Sequence, residues 1–469
     1  MRILIHGLNF APELVGVGKY TGEMAEWLAA QGHEVRVVTA PPFNPEWRVA
    51  AAFSSCRYTR ADHEKQDHEK RARSRRPDTS VPELAMAAAV AGSYASGRSS
   101  AESVAPLRFP TPDWADMDVA SAPGRLTVFR CPLWVRPQLS AAKRILHLAS
   151  FALASFPVML RQIGWRPEIV VVIEPTLFCL PAALLTARCS GARSWLHVQD
   201  FEADAGFELG LLKAAGLRAL GEWTEQKLMS GCDRVSTISE KMVARLLSKG
   251  VMPSACRLFP NWVDTDAIFP LRQPSALRAE LSISSEETVA LYAGTMAHKQ
   301  GLEVLAEAAG LLAGRTGLRF VFCGEGPGRS ALERQTSRMA NVQWIALQPF
   351  ERLNQLLNLA DIHLLPQRAD AADLVMPSKL TGMLASGRPV VATSRIGTQL
   401  AQVVQGRGVV VEPGEASAFA HAIEELARDR RLRERLGRNG RDYAVSELGK
   451  ETILSGFEEQ LLALAGQRG

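Results

Sequence analysis

The chain has 469 residues, of which 47% are hydrophobic and 22% are charged, and its formal net charge is +5 at pH 7. This composition excludes fibrous and wholly disordered proteins, and the length is sufficient for two globular domains. The positive charge is too small to indicate a nucleic-acid partner, but it suits an enzyme that meets anionic membranes or phosphorylated ligands.

The N-terminal segment predicts a strand, a glycine loop, a helix and a second strand. The apolar run from Arg2 to His6 indicates a strand covered on both faces. A helical pattern follows Gly16 and Gly18, ends at Gly32, and precedes a strand from Val35 to Thr39. The two loop glycines let a ligand approach backbone amides at the helix start, where anions are favoured. The alternative is a doubly wound protein that binds nothing at this loop.

The Gly-x-Gly-Lys spacing that ends at Lys19 matches neither of two common phosphate-binding motifs. The dinucleotide fingerprint requires a third glycine and an acidic residue about twenty positions later. A Walker loop has Ser or Thr after its lysine, whereas Tyr20 follows Lys19 here. The loop therefore belongs to neither class.

The segment 61–124 interrupts the alternation of strands and helices. It contains Asp-His-Glu-Lys repeats followed by basic, Ala-rich and Ser/Pro-rich stretches, and we interpret it as a largely disordered insertion. His63 and His68 in the repeats suggest a metal site as one interpretation. A solvated charged face is the interpretation that we favour.

A second unusual stretch spans residues 143–161. It is apolar, carries Lys143, Arg144 and Arg161 near its ends, and is too short and too interrupted to span a bilayer. Two interpretations remain open, namely a helix that lies in a membrane interface and an ordinary core helix.

Beyond this point apolar strand-like runs again alternate with helical patterns, which predicts parallel sheets and an α/β fold. The runs are Ile169 to Ile173, Ser194 to Val198, Arg234 to Ile238, Val289 to Ala293, Leu318 to Cys323 and Pro389 to Ala392. We expect an N-terminal domain over 1–268, a linker over 269–285, and a C-terminal domain over 286–445. A last helix over 446–469 is expected to return to the N-terminal domain.

The C-terminal half contains the clearest candidate for charge stabilisation. A strand ending near Ala293 is followed by a turn at Gly294 and Thr295, then by Lys299 and a helix start. A cation beside free helix amides stabilises a diphosphate, increasingly so as negative charge builds on a departing phosphate. The alternative is that Lys299 is a solvated first-turn lysine.

Two further turns have a similar character. Gly324 lies in a glycine-rich turn after a strand, which is a weak signal on its own. Pro377 and Ser378 suit a helix start, with Lys379 in the first turn, and the helix is expected to stop at Gly387.

These motifs together resemble the retaining glycosyltransferases of family 4, which have the GT-B fold of two Rossmann-like domains facing across a cleft. Within the family, the likeness is closest to the branch of colanic acid biosynthesis. It covers nearly the whole chain except the insertion. Its carriers are Phe10 to Tyr20, Ala40 to Trp47, Leu196 to Asp200, Phe259 to Asp264, Lys299 to Glu303 and Pro377 to Leu380.

The resemblance implies a catalytic group of Lys299, His197 and Asp200, with His197 near the donor sugar and Asp200 towards the acceptor. On the residues alone, the interpretation that we prefer for His197 is a satisfied core histidine at a strand end. The resemblance also implies a set of donor-binding residues. These are Gly16, Gly18, Lys19, Gly294, Thr295, Lys299, Gly324, Asp373, Pro377, Ser378 and Lys379.

The chain departs from the family at two glutamate positions. Counting back from Gly387, they hold Leu374 and Gly382, so neither carboxylate is present. Asp373 is adjacent to the first position and is a candidate substitute. We infer that this subgroup binds the ribose and sugar hydroxyls of the donor differently.

The resemblance implies transfer of a sugar, with retention, from a nucleotide-diphosphate sugar to a polyprenyl-diphosphate-linked saccharide. GDP-fucose is the donor suggested by the nearest resemblance, and UDP-sugars are its main competitors. We expect no cofactor and no metal, because Lys299 and helix N-termini stabilise the leaving diphosphate. Two other interpretations are a GT-B nucleotide-sugar epimerase or hydrolase, which would act on the donor alone, and a non-catalytic GT-B partner protein.

Cysteine usage and the chain start indicate the compartment. Seven cysteines are scattered without a Cys-x-x-Cys pair, which argues against a disulfide framework or a zinc site. Because Met1 leads directly into a strand, we expect no signal peptide. The expected location is the cytoplasm, with peripheral attachment to the inner membrane, for which residues 143–161 are the candidate contact.

Overall fold

The computed structural model describes residues 1–13, 16–43, 47–49, 52–62, 124–136, 141–174, 177–201, 215–297, 300–368 and 377–467. Within these ranges the chain forms two parallel sheets covered by helices, which confirms the predicted α/β architecture. Residues 63–123 of the predicted insertion lie outside the described residues, as do Lys299 and Asp373.

The first sheet has the strand order β3-β4-β2-β1-β5-β6-β7-β8 and is parallel except for the pair β3 and β4. Its strands are β1 (Arg2–Gly7), β2 (Glu34–Thr39), β3 (Thr59–Asp62), β4 (Leu126–Arg130), β5 (Ile169–Ile173), β6 (Arg193–Val198), β7 (Arg234–Thr237) and β8 (Cys256–Leu258). Ala61 and Asp62 pair with Val128 and Thr127 across β3 and β4. The predicted start of the insertion at residue 61 is therefore corrected, because the sheet continues through Asp62.

The second sheet is parallel and has the order β11-β10-β9-β12-β13-β14. Its strands are β9 (Thr288–Ala293), β10 (Leu318–Cys323), β11 (Val342–Ile345), β12 (Ile362–Leu365), β13 (Val390–Thr393) and β14 (Gly408–Val411). The central strands β9, β12 and β13 are almost entirely buried, as strands with helices on both faces must be.

The described helices cover the faces of both sheets. They are Gly16–Ala30, Ala141–Trp165, Leu180–Ser190, Ala215–Ser230, Glu240–Ser248, Ala276–Glu280, Glu303–Leu311, Arg329–Thr336, Leu353–Leu359, Lys379–Ala385, Gln399–Val404, Ala416–Arg428, Arg430–Glu447 and Lys450–Gly466, with short 3-10 helices at Leu177–Cys179 and Phe350–Arg352.

The last helix packs against the N-terminal sheet although it follows the C-terminal sheet in the chain. Its Phe457 ring stacks on Phe259 with a centroid distance of 4.2 Å. The same ring meets Trp195 of β6 edge-on at 5.0 Å. Trp27 Nε1 donates a hydrogen bond to Glu451 at 3.0 Å. The chain thus crosses between the two domains a second time.

The helix Ala141–Trp165 is longer than the predicted apolar stretch 143–161. One side of it is core, since Phe151 is completely buried against the N-terminal sheet. The opposite side exposes 41% of Leu146 and 65% of Leu153. By length and composition alone it is the one helix among the described residues that could cross a membrane, which corrects the expectation that the stretch is too short for a bilayer. Half of its most apolar stretch is nevertheless buried in the domain. The core interpretation therefore holds for one face only, and the other face remains exposed.

Candidate functional site

The carboxyl ends of the two parallel sheets bring together the loops that carry the predicted site residues. Ligands of open α/β sheets bind outside the carboxyl ends of the strands. The Tyr20 side chain, on the helix that follows β1, lies close enough to the Thr381 side chain, on the helix that follows β12, to interact with it. This contact joins the helix starts of the two domains.

A cavity of about 280 Å³ lies between the domains beside this contact. Residues of the N-terminal domain that line it include Ser239, Pro260 and Asn261. Across from them lie Pro377 and Ser378, two of the predicted donor-binding residues. The structure therefore places this helix start at the domain interface.

The N-terminal glycine loop is built around a buried carboxylate. Glu13 accepts hydrogen bonds from Asn9 Nδ2 at 2.9 Å and from the backbone N–H of Phe43 at 3.0 Å. A Cβ built on Gly18 would lie only 2.6 Å from Glu13 Oε2, so no larger residue fits without displacing the carboxylate. Gly16, by contrast, has a φ of +60° and open space around it. One glycine is required by packing and the other by backbone conformation.

Lys19 points along its own helix. Its Nζ lies 3.5 Å from Glu23 Oε1, and the other carboxylate oxygen of Glu23 accepts a hydrogen bond from Trp262 Nε1 at 2.7 Å. In this arrangement Lys19 has a counter-charge within the domain. Its predicted contact with the donor stays a prediction.

His197, at the end of β6, lies in a closed hydrogen-bond network. Gln199 Nε2 lies 2.9 Å from His197 Nε2, and Ser236 Oγ lies 2.9 Å from His197 Nδ1. With the amide of Gln199 donating, Nδ1 carries the ring proton. Burial lowers the pKa of His197 to about 3, so the ring is neutral at physiological pH.

This network reaches the interdomain cavity through a second bond. Gln199 Nε2 also donates to Asn261 Oδ1 at 3.0 Å, and Asn261 lines the cavity. His197 itself has the arrangement of a satisfied core histidine. In this conformation its only connection to the cavity among the described residues is the hydrogen-bond chain through Gln199 and Asn261. Asp200, two residues beyond the end of β6, is partly buried. The catalytic roles of His197 and Asp200 stay predictions.

The two C-terminal glycine turns are held together by backbone contacts. Met296 N–H donates to the carbonyl of Glu325 at 2.8 Å, and Gly328 N–H donates to the carbonyl of Met296 at 2.8 Å. A Cβ built on Gly324 would lie 2.1 Å from the carbonyl oxygen of Gly294. The turns after β9 and β10 therefore form one compact unit. Position 324 requires glycine because the backbone of Gly294 lies too close for a Cβ, so packing alone explains Gly324.

Gly294 and Thr295 lie at the outer edge of this unit. Gly294 has a φ of +138°, which only glycine adopts readily. The carbonyl of Thr295 accepts a hydrogen bond of 2.6 Å from the Tyr292 hydroxyl. Lys299 and Asp373, predicted beside these residues, lie outside the described residues.

The predicted helix start at Pro377 and Ser378 is present, with the helix running from Lys379 to Ala385. Ser378 does not cap this helix with its side chain, and its carbonyl accepts a hydrogen bond from Thr381 Oγ1 at 3.0 Å. Lys379 Nζ lies 4.3 Å from the centroid of the Tyr292 ring. The start of the helix Lys379–Ala385 therefore contacts the carboxyl end of β9.

Sequence reasoning identified Glu13, Gln199 and Asn261 only as members of motifs and gave them no role. Their signal was position, because each lies in a motif that follows a strand, and Gln199 directly follows the end of β6. The contact between Tyr20 and Thr381 joins residues 361 positions apart and had no local signal.

Two other features bear on the chemistry of the site. Among the residues that the structure describes, no three His, Cys, Asp or Glu side chains are grouped so as to hold a metal ion.

A larger cavity, about 710 Å³, lies at the opposite, amino end of the C-terminal sheet. Several of its arginines are already used by the fold; Arg441, for example, donates to the carbonyls of Ile268, Ala385 and Thr265.

Both halves of the chain match known sequence families. Residues 85–262 match the family described as Glycosyl transferase 4-like domain, and residues 275–443 match Glycosyl transferases group 1. The Escherichia coli (strain K12) protein named "Putative colanic acid biosynthesis glycosyl transferase WcaI" is 36% identical over 97% of this chain and 98% of its own length.

Solved structures show the same fold at low identity. Sucrose-phosphate synthase from Thermosynechococcus elongatus superimposes with a TM-score of 0.65 at 16% identity, covering 99% of each chain. Anabaena Alr3699/HepE in complex with UDP and glucose superimposes with a TM-score of 0.61 at 14% identity, covering 99% of this chain and 100% of its own. The two-domain architecture is therefore shared over the full length.

Proposed function

The chain belongs to the GT-B glycosyltransferases built from a 4-like and a group 1 domain, and from that premise we propose that it uses a nucleotide-diphosphate sugar as donor. The observation that carries this proposal is the meeting of the two helix starts at the interdomain cavity. Free amides at helix starts favour the negative charge of a diphosphate.

The proposed reaction moves the sugar to a hydroxyl of the acceptor. The bond between the anomeric carbon and the donor phosphate oxygen breaks, and a bond from the acceptor oxygen to the same carbon forms. The nucleoside diphosphate leaves, and its phosphate oxygen takes the acceptor proton, so that attack occurs on the face of departure with retention. We assign to Lys299 the role of stabilising charge on the departing phosphate, without a metal ion.

We assign the N-terminal domain a separate supporting role. Glu13 fixes the loop that carries Gly16 and Gly18, and Gln199 and Asn261 form a polar wall behind the cavity. Groups fixed in this way need no rearrangement when charge develops, which favours the transition state. Closure of the domains would exclude water and limit hydrolysis of the donor.

We propose that the acceptor is a polyprenyl-diphosphate-linked saccharide in exopolysaccharide biosynthesis of the colanic acid type. The full-length similarity to WcaI supports this assignment. The protein would then work in the cytoplasm, at the inner face of the inner membrane. The exposed face of the helix Ala141–Trp165 supports attachment, since Leu146 and Leu153 project from a helix whose first residues include exposed Lys143 and Arg144.

The first experiment is a thermal-shift screen of the purified protein against GDP, UDP, dTDP and their sugar conjugates, with and without a divalent metal ion. Selective binding to the folded state raises the melting temperature, by an amount that identifies the preferred base. GDP-fucose tests the donor suggested by the nearest resemblance. Absence of any shift would contradict the proposal and favour a non-catalytic protein.

A second experiment separates transfer from chemistry on the donor alone. The stabilising donor is incubated with and without a lipid-linked saccharide fraction, and the products are identified by mass spectrometry. Transfer that requires the acceptor supports the proposal, and analysis of the new linkage by NMR tests retention. Conversion of the donor without acceptor would instead indicate an epimerase or a hydrolase.

A further inference from the structure

The cavity at the amino end of the C-terminal sheet has no part in the proposed reaction. Its volume of about 710 Å³ is within the range of small-molecule sites. Its lining comes from the linker residues 270–274, the turn before β13 and the helix Arg430–Glu447. Seven arginines and five carboxylates are among the lining residues, so the wall is highly charged and has more positive than negative groups.

Four of the seven arginines already have partners in the fold. Arg278, Arg433 and Arg441 donate hydrogen bonds to backbone carbonyls. Arg430 Nε donates to Glu434 at 2.9 Å. The other three arginines make no hydrogen bond to any residue that the structure describes. These are Arg272, Arg388 and Arg438.

Arg388 is the least solvated of these three side chains. Its Nε atom is shielded from solvent and has no hydrogen-bond partner among the described residues. Burial lowers the pKa of Arg388, but a guanidinium group stays charged in proteins. Asp361 opposes this shift, yet it already accepts hydrogen bonds from Arg278 and from the backbone N–H of Val289. A half-buried guanidinium group without its own acceptor favours the binding of an anion.

The turn that carries Arg388 is fixed by close packing. A Cβ built on Gly437 would lie 2.1 Å from the carbonyl oxygen of Gly387 and 3.4 Å from Arg388 Cα. A Cβ built on Gly387 would lie 2.7 Å from Pro270 Cγ. The helix Arg430–Glu447 and the linker therefore pack directly on this turn. Because the backbone around the cavity is already ordered, little order has to be imposed on it when a ligand binds.

The carboxylates of the cavity do not compensate the three free arginines. Three of the five are already bonded to arginines of the fold. The other two, Glu286 and Asp442, are exposed and form no salt bridge to a described residue. Charges in contact with solvent are screened by water and salt. The cavity therefore keeps a surplus of positive charge.

We propose that this cavity binds a small soluble anion with a phosphate or diphosphate group, held by Arg388 together with Arg272 and Arg438. Guanidinium groups match phosphate oxygens with paired, charge-assisted hydrogen bonds. The predicted donor-binding residue Gly294 lies at the other, carboxyl end of the same sheet. The anion and a nucleotide donor can therefore occupy the protein at the same time.

The binding test is isothermal titration with inorganic pyrophosphate. The main variant is Arg272→Gln with Arg438→Gln, because both side chains are exposed and unbonded, so the fold should not depend on them. The matched control is Arg334→Gln with Arg338→Gln, two exposed arginines of the same domain that do not line the cavity. We expect pyrophosphate to bind the main variant at least about 10-fold more weakly than the wild type, the effect of losing hydrogen bonds to a charged group. The control should bind like the wild type.

Arg388→Gln tests the half-buried member of the group. It should weaken pyrophosphate binding by about 10- to 100-fold, and its melting temperature shows whether the domain remains folded. Because the exposed pair is tested separately, loss of fold in Arg388→Gln leaves the proposal open to refutation by the main variant.

A second readout locates the bound anion. Phenylglyoxal modifies accessible arginines, and mass spectrometry of peptides measures the modification at each position. Pyrophosphate should protect Arg272 and Arg438 of the wild type, and it should leave Arg334 and Arg338 unprotected. The same protection is expected in the presence of saturating GDP or UDP, because the predicted donor site lies at the other end of the sheet. Vesicles of phosphatidylglycerol replace pyrophosphate in a parallel sample.

Three outcomes would overturn the proposal. One is the absence of pyrophosphate binding to the wild type. Another is equal binding to the wild type and the main variant without protection of the cavity arginines, which would place the anion elsewhere. The third is protection by the vesicles but not by pyrophosphate, which would identify a lipid headgroup in place of a soluble anion. None of these results depends on use of a nucleotide sugar, so the proposed function is tested independently.

Discussion

Replacement of Gly18 by alanine tests the structural account of the N-terminal glycine loop. The added Cβ would lie 2.6 Å from Glu13 Oε2 and 2.7 Å from Glu13 Cβ, both inside van der Waals contact. Glu13 must then move, and it holds Asn9 and the backbone of Phe43 by one hydrogen bond each. We expect Gly18→Ala to destabilise the domain and to loosen the loop.

The magnitude follows from three contributions. Overpacking of a buried site costs about 1–3 kcal/mol, and loss of one hydrogen bond to the carboxylate costs about 1.5–3 kcal/mol. Alanine favours the helix over glycine by about 1 kcal/mol, which offsets part of the loss. The net loss is about 1.5–5 kcal/mol, or a decrease in melting temperature of roughly 3–20 °C.

The control is Gly16→Ala, two residues earlier. Gly16 has a φ of +60° but nothing within 4 Å of a built Cβ, so only the backbone term remains, about 1–2 kcal/mol. Differential scanning calorimetry of both variants, with nucleotide titrations on each, gives the comparison. A Gly18→Ala protein that melts at or above the temperature of Gly16→Ala would refute the packing argument around Glu13.

Three further predictions concern catalysis, membrane contact and acid stability. Lys299→Ala should decrease turnover by about one to three orders of magnitude, the effect of removing one charge-stabilising donor, in a steady-state transfer assay; unchanged turnover would remove its assigned role. Leu146→Glu combined with Leu153→Glu should abolish flotation with anionic liposomes, while the melting temperature remains that of the wild type. Leu311→Glu, which changes an exposed leucine of the C-terminal domain, should have no effect. Equal flotation of the wild type and both variants would contradict membrane attachment by the exposed face of the helix Ala141–Trp165. Stability should decrease as the pH falls below about 6.5, because buried histidines with lowered pKa values bind protons only after unfolding, at a cost near pH 5 of about 2 kcal/mol each. Urea titrations at pH 5 and 7 measure this, and a flat profile would show that the rings are charged in the fold. These histidines are His6, His197 and His363.

The sequence was sufficient for the architecture because the strands of parallel sheets are continuous apolar runs. β5 contains five consecutive aliphatic residues and is completely buried, so its pattern has one interpretation. The helix Ala141–Trp165 shows the limit of the same reasoning. Its composition did not separate an interfacial helix from a core helix, because Phe151 and Leu153 are both apolar, yet one is buried and the other 65% exposed. A replacement of Phe151 would therefore test the core and not the membrane.

The candidate site was less predictable, because its decisive contacts are long-range. On the residues alone His197 was a core histidine, and only the positions of Gln199 and Ser236 show that both of its ring nitrogens are engaged. Lys19 pairs with Glu23, its neighbour one helical turn later, and this local pair is readable from the sequence. The fold adds the hydrogen bond from Trp262 Nε1 to the other oxygen of Glu23, a contact across 239 positions that no local pattern reveals.

Lys379 differs from Lys19, because its Nζ has no hydrogen-bond partner among the described residues. It begins the helix whose Thr381 contacts Tyr20 of the N-terminal domain, two residues after Gly18. An anion bound at Lys379 would therefore lie close to the contact that joins the two glycine-bearing regions. Since Tyr20 stays neutral by burial, charge introduced there is balanced by the amine and not by the interface. The sequence dictates the helix start, but only the packing of Tyr292 and Gly294 around it shows that this first-turn lysine is buried without a hydrogen-bond partner among the described residues.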